Sequence, residues 1–146
     1  MSALPKKPLI LYADDDDLLV HLVQKKLTAF EIVRVANGDD ALEYLNRSGK
    51  YVDAPQPALL LLDLHMPRRD GFEILAKIRA TPALAALPVA IFTTSLWPAD
   101  RTKAFNLGAN HFVQKPTGLD AFDDLAVTLA EILAAISTDG SGESPL

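Results

Sequence analysis

The sequence predicts an α/β fold in which a parallel β-sheet carries helices on both faces. Short apolar runs alternate five times with longer amphipathic stretches, as strands do with crossover helices. Runs such as Leu59–Leu62 are apolar without alternation, which is typical of strands covered on both faces. The chain has 146 residues, of which 49% are hydrophobic and 23% charged, so its size and composition suit one globular domain.

The elements follow from these runs in order along the chain. Four predicted strands are clear and the fifth is weaker: Leu9–Ala13, Ile32–Val35, Leu59–Leu62, Val89–Phe92 and His111–Gln114. Residues at helical spacing between the strands mark the predicted helices: Leu19, Leu22, Val23, Leu27 and Phe30, then Ala41, Leu42 and Leu45, then Phe72, Leu75, Ile78 and Arg79, and a last stretch over Leu119–Ile136. Turn and helix-start signals lie between them, at Asn37-Gly38, Asp70-Gly71, Pro98 and Gly108.

Composition limits the domain boundaries and the classes of function. We expect a tail over residues 1–8, one domain over 9–136 and a flexible tail over 137–146, whose serines and glycines cannot build a core. The absence of cysteine excludes disulfides, thiol catalysis and thiolate metal sites. A net charge of −5 disfavours nucleic-acid binding, and no apolar run is long enough for a membrane span. The expected location is cytoplasmic.

Polar residues follow four of the five predicted strands. Asp14–Asp17 come after the first strand, Asp63 after the third, Thr93–Ser95 after the fourth and Lys115 after the fifth. Ligands of parallel sheets lie beyond the carboxyl ends of the strands. In the doubly wound order 2-1-3-4-5 those four strands are neighbours. We therefore expect the four polar groups to meet at one edge of the sheet.

A cluster of carboxylates at this edge favours a divalent-cation site that takes part in the transfer of a phosphoryl group. Two carboxylates about 4 Å apart repel by roughly 4 kcal/mol at an effective dielectric constant of 20. A hard divalent cation such as Mg²⁺ removes this conflict. A lysine and a threonine hydroxyl beside the metal would bind phosphoryl oxygens, and a carboxylate can act as the nucleophile and form an acyl phosphate. For Asp16 and Asp17 we prefer the simpler interpretation of helix N-terminal capping.

The order Asp-Asp, Asp, Thr and Lys-Pro, each after an apolar strand, resembles the receiver domain of two-component response regulators. The resemblance runs from about Leu9 to Ile136. The stretches Tyr51–Pro57, Pro67–Gly71 and Thr93–Ser95 are most similar to the stand-alone receivers that accompany phytochrome-type sensor kinases. The resemblance implies a flavodoxin-like fold with a five-stranded parallel sheet of order 2-1-3-4-5 and five helices on both faces.

The resemblance also implies the acceptor and the metal ligands. Asp63 would accept a phosphoryl group from the phosphohistidine of a sensor histidine kinase. Asp14, Asp15 and Asp63, with the backbone carbonyl of His65, would hold Mg²⁺; Asp15 would bind it directly and Asp14 through water.

Further residues take roles in binding the phosphoryl group and in the switch. Thr93 and Lys115 would bind the phosphoryl group, with Thr94 beside them, and Phe112 would be the aromatic residue coupled to the threonine. His65 and Ser95, two residues beyond the acceptor and the threonine, would tune dephosphorylation. The bond between Lys115 and Pro116 is expected to be cis.

The resemblance gives the expected partners. They are a sensor histidine kinase of phytochrome type and a downstream protein or phosphotransfer partner. Because the chain ends soon after Ile136, we expect output by contact rather than through an attached domain. Homodimerisation through helix 4, strand 5 and helix 5 is one such contact. Trp97 is a candidate partner contact, and the alternative is local packing against Pro98 or Phe105.

Two other functions stay open at this point. One is a haloacid-dehalogenase-like phosphatase whose machinery would be Asp14 as nucleophile, Asp16 as acid and base, and Thr93, Lys115 and Asp123 or Asp124 in support. Leu18 does not fit the motif of that family. The phosphatase interpretation also gives no role to Asp63. The other is a phosphorylation-independent interaction module on the same fold. The receiver interpretation predicts a signalling switch that catalyses only its own phosphorylation and dephosphorylation.

Overall fold

A computed structural model describes residues 7–67 and 69–141. The strands and helices are β1 Leu9–Ala13, α1 Asp17–Lys26, β2 Glu31–Val35, α2 Gly38–Leu45, β3 Leu59–Asp63, α3 Gly71–Ala80, β4 Val89–Thr93, α4 Pro98–Asn106, β5 His111–Gln114 and α5 Ala121–Ser141. Short 3₁₀ turns cover Gly49–Tyr51 and Pro82–Leu84. All five predicted strands are present, and each bound agrees with the prediction to within one residue.

The five strands form one parallel sheet in the order β2-β1-β3-β4-β5, which confirms the predicted topology. The register brings the carboxyl ends of the strands to one edge. Ala13 is opposite Leu62, and Asp63 is opposite Phe92. Thr93 is opposite Gln114, the residue before Lys115. The residues that follow β1, β3, β4 and β5 therefore leave the sheet side by side.

Every residue of β3 and β4 is buried. Because successive side chains of a strand point to opposite faces, both faces of these central strands are covered. On one face, Leu11 and Leu62 belong to a buried cluster with Tyr44 of α2 and Leu75 of α3. The other face includes Tyr12 and Phe92, which are also fully buried and meet edge to face with their ring centroids 5.6 Å apart. The uninterrupted apolar runs of the sequence reflect this burial on two sides.

The start of α3 packs tightly against the end of β3. Gly71 is the first residue of α3, and its N–H donates to the carbonyl of Leu64 at 3.0 Å. A Cβ atom on Gly71 would lie 2.5 Å from the carbonyl oxygen of Asp63. Backbone atoms cannot move aside as a flexible side chain can, so the close approach requires glycine. This contact fixes the position of the chain directly after Asp63.

Residues up to Lys115 form one compact unit and those from Pro116 onward form a second. The second unit contains α5, where Phe122, Leu125 and Leu129 are buried at the predicted helical spacing. The helix continues to Ser141, beyond the expected boundary at Ile136.

Residues 1–6 and 142–146, within the predicted tails, lie outside the described residues. The single domain over 9–136 stays a prediction, and no described helix has the length and apolar character to cross a membrane.

Arg79 ties the end of α3 to the loops before β4 and β5. Its Nε donates to the carbonyl of Gly108 at 2.9 Å, and Nη1 donates to the carbonyls of Leu87 at 2.8 Å and Ala85 at 3.2 Å. Its Nη2 donates to Oδ1 of Asn110 at 2.9 Å. The Arg79 side chain thus donates to three backbone carbonyls in two separate loops.

We expect Arg79→Met to lower the free energy of unfolding by roughly 2–3 kcal/mol, because it removes the Arg79 donors from the two partly buried carbonyls of Gly108 and Leu87. The matched control is Lys77→Met, which removes an exposed cation from the same helix and should leave stability almost unchanged. Urea denaturation followed by circular dichroism measures both. Equal denaturation midpoints for the two variants would contradict the bracing role of Arg79.

Candidate functional site

Three carboxylates come together at the carboxyl edge of the sheet. Asp14 and Asp15 directly follow β1, and Asp63 is the last residue of β3. One carboxylate oxygen from each lies within 4.8 Å of the others. Asp14 and Asp63 are almost completely buried, whereas Asp15 is exposed. The prediction that these acids meet is therefore confirmed for all three.

Lys115 supplies the positive charge of this site. Its Nζ lies 2.9 Å from Oδ2 of Asp14 and 3.3 Å from Oδ1 of Asp63, and its side chain is only 10% exposed. Its backbone N–H donates to the carbonyl of Thr93 at 2.8 Å, which holds the end of β5 beside β4. The ammonium also lies 5.9 Å from the centroid of the Phe92 ring. One lysine thus offsets part of the repulsion between two buried carboxylates.

Several neighbouring groups hold the carboxylate and the backbone of Asp14. The hydroxyl of Tyr12 donates to Oδ2 of Asp14 at 2.7 Å, on the oxygen that Lys115 also contacts. The backbone N–H of Asp16 donates to Oδ1 at 3.0 Å. Nε of Arg34 in β2 donates to the backbone carbonyl of Asp14 at 2.9 Å.

Neither Tyr12 nor Arg34 was predicted as part of the site. A signal for Tyr12 exists in the sequence: residues two apart in a strand share a face, so a tyrosine two positions before a buried acid is placed to reach it. Arg34 pairs with Tyr12 in the strand register, and that pairing could not be read from the sequence.

Burial and charge shift the pKa values of the site. Burial first, and then the charge of Asp14, raise the pKa of Asp63 to about 6, while Lys115 and the backbone N–H of His65 act in the opposite direction. Burial lowers the pKa of Lys115, but its contacts with Asp14 and Asp63 outweigh this and raise it overall. Burial and the charge of Asp14 raise the pKa of Tyr12. At neutral pH the tyrosine therefore donates and the lysine is a cation.

The donor set fits a hard divalent cation. Three carboxylates carry more negative charge than Lys115 neutralises, and carboxylate oxygens are ligands that Mg²⁺ prefers. The backbone N–H of His65 donates to Oδ1 of Asp63 at 3.3 Å, and the His65 side chain is exposed. Its carbonyl as a metal ligand, and its side chain as a tuning group, stay predictions.

Asp16 and Asp17 act at the start of α1 rather than in the acidic cluster. Asp16 caps the helix, since its side chain accepts the N–H of Leu19 at 3.1 Å. Asp17 pairs with Nη2 of Arg34 at 2.6 Å and is largely exposed. The predicted capping role is therefore confirmed for Asp16, whereas Asp17 lies in the first turn of α1 and its carboxylate pairs with Arg34 instead of capping the helix.

The residues after β4 form a hydrogen-bonded loop. Thr93 is fully buried, and its Oγ1 accepts the N–H of Ser95 at 3.0 Å. The hydroxyl of Ser95 donates to Oδ2 of Asp100 at 2.6 Å and accepts the N–H of Trp97 at 3.2 Å. Ser95 thus uses its hydroxyl to fix the start of α4. Thr94 is exposed, and the roles expected of Thr93, Thr94 and Ser95 toward a phosphoryl group stay predictions.

Phe112 and Trp97 border a cavity beside this loop. The cavity has a volume of about 410 Å³, and its lining residues are Ser95, Leu96, Trp97, Pro98, Arg101, Phe112 and Gln114. Phe112 is half-buried, and the guanidinium of Arg101 lies 5.7 Å from its ring centroid. Trp97 is 73% exposed, so local packing does not bury it. The switch role of Phe112 stays a prediction.

The bond between Lys115 and Pro116 is trans, because the described part of the chain contains no cis peptide bond. The expectation of a cis bond is therefore wrong. Trans is the favoured isomer even before proline, by about 0.5–1 kcal/mol.

Comparison with known proteins identifies the family. Residues 10–126 match the response regulator receiver domain. The chain belongs to this family of two-component signalling proteins, as the strand-end residues predicted. It is 36% identical over 118 residues to the response regulator Rcp1 of a Synechocystis strain, which covers 79% of this chain and 80% of Rcp1.

Solved structures agree with this assignment and with the resemblance to phytochrome-associated receivers. The phosphorylated cyanobacterial phytochrome response regulator RcpA is 30% identical with a TM-score of 0.81, over 88% of this chain and 95% of that chain. The Mn²⁺-bound form of Rcp1 is also 30% identical, with a TM-score of 0.72 over 95% of this chain and 98% of that one.

We expect Asp63→Asn to stabilise the metal-free protein near neutral pH by about 1–3 kcal/mol, since it removes one of two adjacent buried carboxylates. The native state holds the proton of Asp63 more tightly than the unfolded chain does. Ionisation between the ordinary pKa of 3.8 and the native pKa of about 6 therefore removes stability from the wild-type protein as the pH rises. The gain from the substitution should shrink as the pH falls through that window.

Denaturation in EDTA at several pH values measures this gain. The control is Asp53→Asn, which neutralises an exposed acid and should not change stability at any of these pH values. Destabilisation by Asp63→Asn at neutral pH would contradict the dominance of burial and of the Asp14 charge.

Proposed function

We propose that Asp63 accepts a phosphoryl group from the phosphohistidine of a sensor histidine kinase, and that the acyl phosphate switches the contacts of this protein with its partners. The observation that carries the proposal is the cluster of Asp14, Asp15 and Asp63 beside the ammonium of Lys115. Negative charge alone would repel a phosphoryl group, so the site requires the lysine and a cation to receive one.

The contacts of the acids favour Asp63 over Asp14 as the acceptor. Both carboxylate oxygens of Asp14 already accept hydrogen bonds, from Tyr12 and Lys115 on Oδ2 and from the N–H of Asp16 on Oδ1. Within the described residues, the hydrogen bonds and ion pairs of Asp63 all fall on Oδ1. Its Oδ2 is therefore the oxygen that can attack phosphorus.

In the proposed transfer, Oδ2 of Asp63 forms a bond to phosphorus as the bond from phosphorus to the kinase imidazole breaks. The electron pair of that bond returns to the imidazole nitrogen. Lys115 turns its ammonium to the phosphoryl oxygens, and the Thr93 hydroxyl binds one of them. Asp14, Asp15 and Asp63 would hold Mg²⁺, which supplies positive charge to the carboxylates and the phosphoryl oxygens when bound.

The proposed partners follow from the relatives. RcpA is described as a phytochrome response regulator, so we propose a kinase of phytochrome type for this chain as well. A downstream protein or phosphotransfer partner would read the phosphorylated state, and a homodimer through α4, β5 and α5 is a further proposed contact. The cytoplasmic location stays a prediction.

Two observations weigh against the phosphatase alternative. Its nucleophile would be Asp14, whose oxygens are occupied, and its acid and base would be Asp16, whose side chain caps α1. An interaction module that does not depend on phosphorylation would leave the paired buried acids without a purpose, since they cost stability.

We expect phosphoramidate or acetyl phosphate with Mg²⁺ to add one phosphoryl group to the wild-type protein, detected by intact-mass spectrometry. Asp63→Asn should gain none, because it lacks the attacking carboxylate, and peptide mapping of the wild type should locate the group on Asp63. EDTA should abolish labelling.

The position of the label separates the alternatives. A phosphoryl group on Asp14 would overturn the proposal in favour of the phosphatase. Labelling at Asp63 with no change in partner or self-association would favour a module that works independently of phosphorylation. Asp53→Asn should label as the wild type does.

We expect Trp97→Ala to weaken self-association of the phosphorylated protein, because a 73% exposed indole at the start of α4 adjoins the proposed dimer surface. The control is Val52→Ala, which truncates an exposed apolar side chain before β3. Sedimentation velocity measures association, and both variants should be phosphorylated at the wild-type rate. If Trp97→Ala and Val52→Ala associate equally, Trp97 is not a partner contact.

A further inference from the structure

The hydroxyl of Tyr12, the last residue but one of β1, reaches into the acidic site. Tyr12 and Asp14 are two residues apart in an extended segment, so their side chains lie on the same face of the sheet. The hydroxyl donates to Oδ2 of Asp14 at 2.7 Å, and Nζ of Lys115 lies 2.9 Å from the same oxygen. Two donors therefore share one oxygen of a carboxylate that is 0% exposed.

We propose that Tyr12 is a positioning residue of the acidic site: its hydroxyl fixes the Asp14 carboxylate for metal binding and keeps Oδ2 hydrogen-bonded when Lys115 turns to a phosphoryl group. The second half of this statement rests on the proposed function. The first half concerns only the shape of the acidic cluster and holds for any cation that the three carboxylates bind.

The burial of Asp14 makes a second donor necessary. A buried carboxylate oxygen without a partner is costly, because it has lost its water and gained nothing in return. If Lys115 were the sole donor to Oδ2, moving its ammonium would leave that oxygen unpaired and would hold the lysine in place. With Tyr12 on the same oxygen, Lys115 can leave and Asp14 keeps a hydrogen bond.

The ring of Tyr12 is itself held rigidly. It is fully buried and meets the ring of Phe92 edge to face, with the planes inclined at 71°. Phe92 pairs with Asp63 in the sheet register, so the support of Tyr12 and the acceptor belong to neighbouring strands. A hydroxyl on a fixed ring can define the orientation of a carboxylate, as the outer partners of metal ligands do.

The alternative is a purely structural role, in which the buried hydroxyl of Tyr12 donates to the nearest acceptor and contributes only to the stability of the fold. Tyr44 provides the matched case in this chain. It is also buried, and its hydroxyl donates to the backbone carbonyl of Pro55 at 2.9 Å rather than to an acid. Tyr12→Phe and Tyr44→Phe each remove one hydroxyl and keep the ring.

The test is the affinity for Mg²⁺, measured by calorimetric titration of the unphosphorylated wild type and the two variants. We expect Tyr12→Phe to bind Mg²⁺ about 10-fold more weakly. Tyr44→Phe should bind as the wild type does, although both variants lose stability in EDTA. If Tyr12→Phe loses only stability and binds Mg²⁺ with wild-type affinity, its hydroxyl is structural and the proposal is overturned.

A double-variant cycle tests whether Tyr12 acts through Asp14. In an Asp14→Asn background, adding Tyr12→Phe should not weaken Mg²⁺ binding further; an additive loss would overturn the mechanism. At Mg²⁺ concentrations that saturate each variant, Tyr12→Phe should react with phosphoramidate more slowly than the wild type, since Lys115 is held on Asp14. An equal rate would overturn the role in releasing Lys115.

Failure of the proposed function has a different signature. A wild-type protein that binds Mg²⁺ but accepts no phosphoryl group would refute that function, and the weaker Mg²⁺ binding of Tyr12→Phe would still support the positioning role.

Discussion

Repulsion between Asp14 and Asp63 is the constraint on which the rest of the site depends. Both carboxylates are removed from water, and the resulting conflict is offset by one ammonium that contacts both. Burial raises the pKa of Asp63, and the contacts of Lys115 with Asp14 and Asp63 raise the pKa of the lysine. A divalent cation would lower the repulsion between these two carboxylates, and so would any movement of the Lys115 ammonium that shares its charge differently between them.

The parallel sheet brings these charged residues together. Its register delivers β1, β3 and β5 to one edge, so three distant segments contribute charges without long loops. Contacts from the surrounding chain then fix the details. Arg34 holds the carbonyl of Asp14, and Gly71 lets α3 begin directly against Asp63.

The loop after β4 connects the acidic site to the surface. Thr93 is buried, and its Oγ1 accepts a hydrogen bond from the N–H of Ser95. The hydroxyl of Ser95 in turn donates to Asp100 in α4. A threonine that turns to bind a phosphoryl oxygen would have to rearrange these bonds. The cavity bordered by Phe112 and the exposed Trp97 begins at the same loop, so a rearrangement there would alter the exposed surface around Trp97.

Patterns of local sequence were sufficient to predict the strands and a parallel sheet. With the doubly wound order 2-1-3-4-5, which the resemblance also implied, they predicted the meeting of Asp14, Asp15 and Asp63 with Lys115. Burial on both faces leaves apolar runs without alternation, and parallel strands deliver the residues after them to one edge. The resemblance carried by those residues also led to the right family. Tertiary structure alone decided that Tyr12 and Lys115 share one oxygen of Asp14, that Ser95 binds Asp100, and that Arg79 serves three carbonyls. Each of these depends on the distance between particular atoms of separate segments, and residue spacing along a chain does not encode that distance.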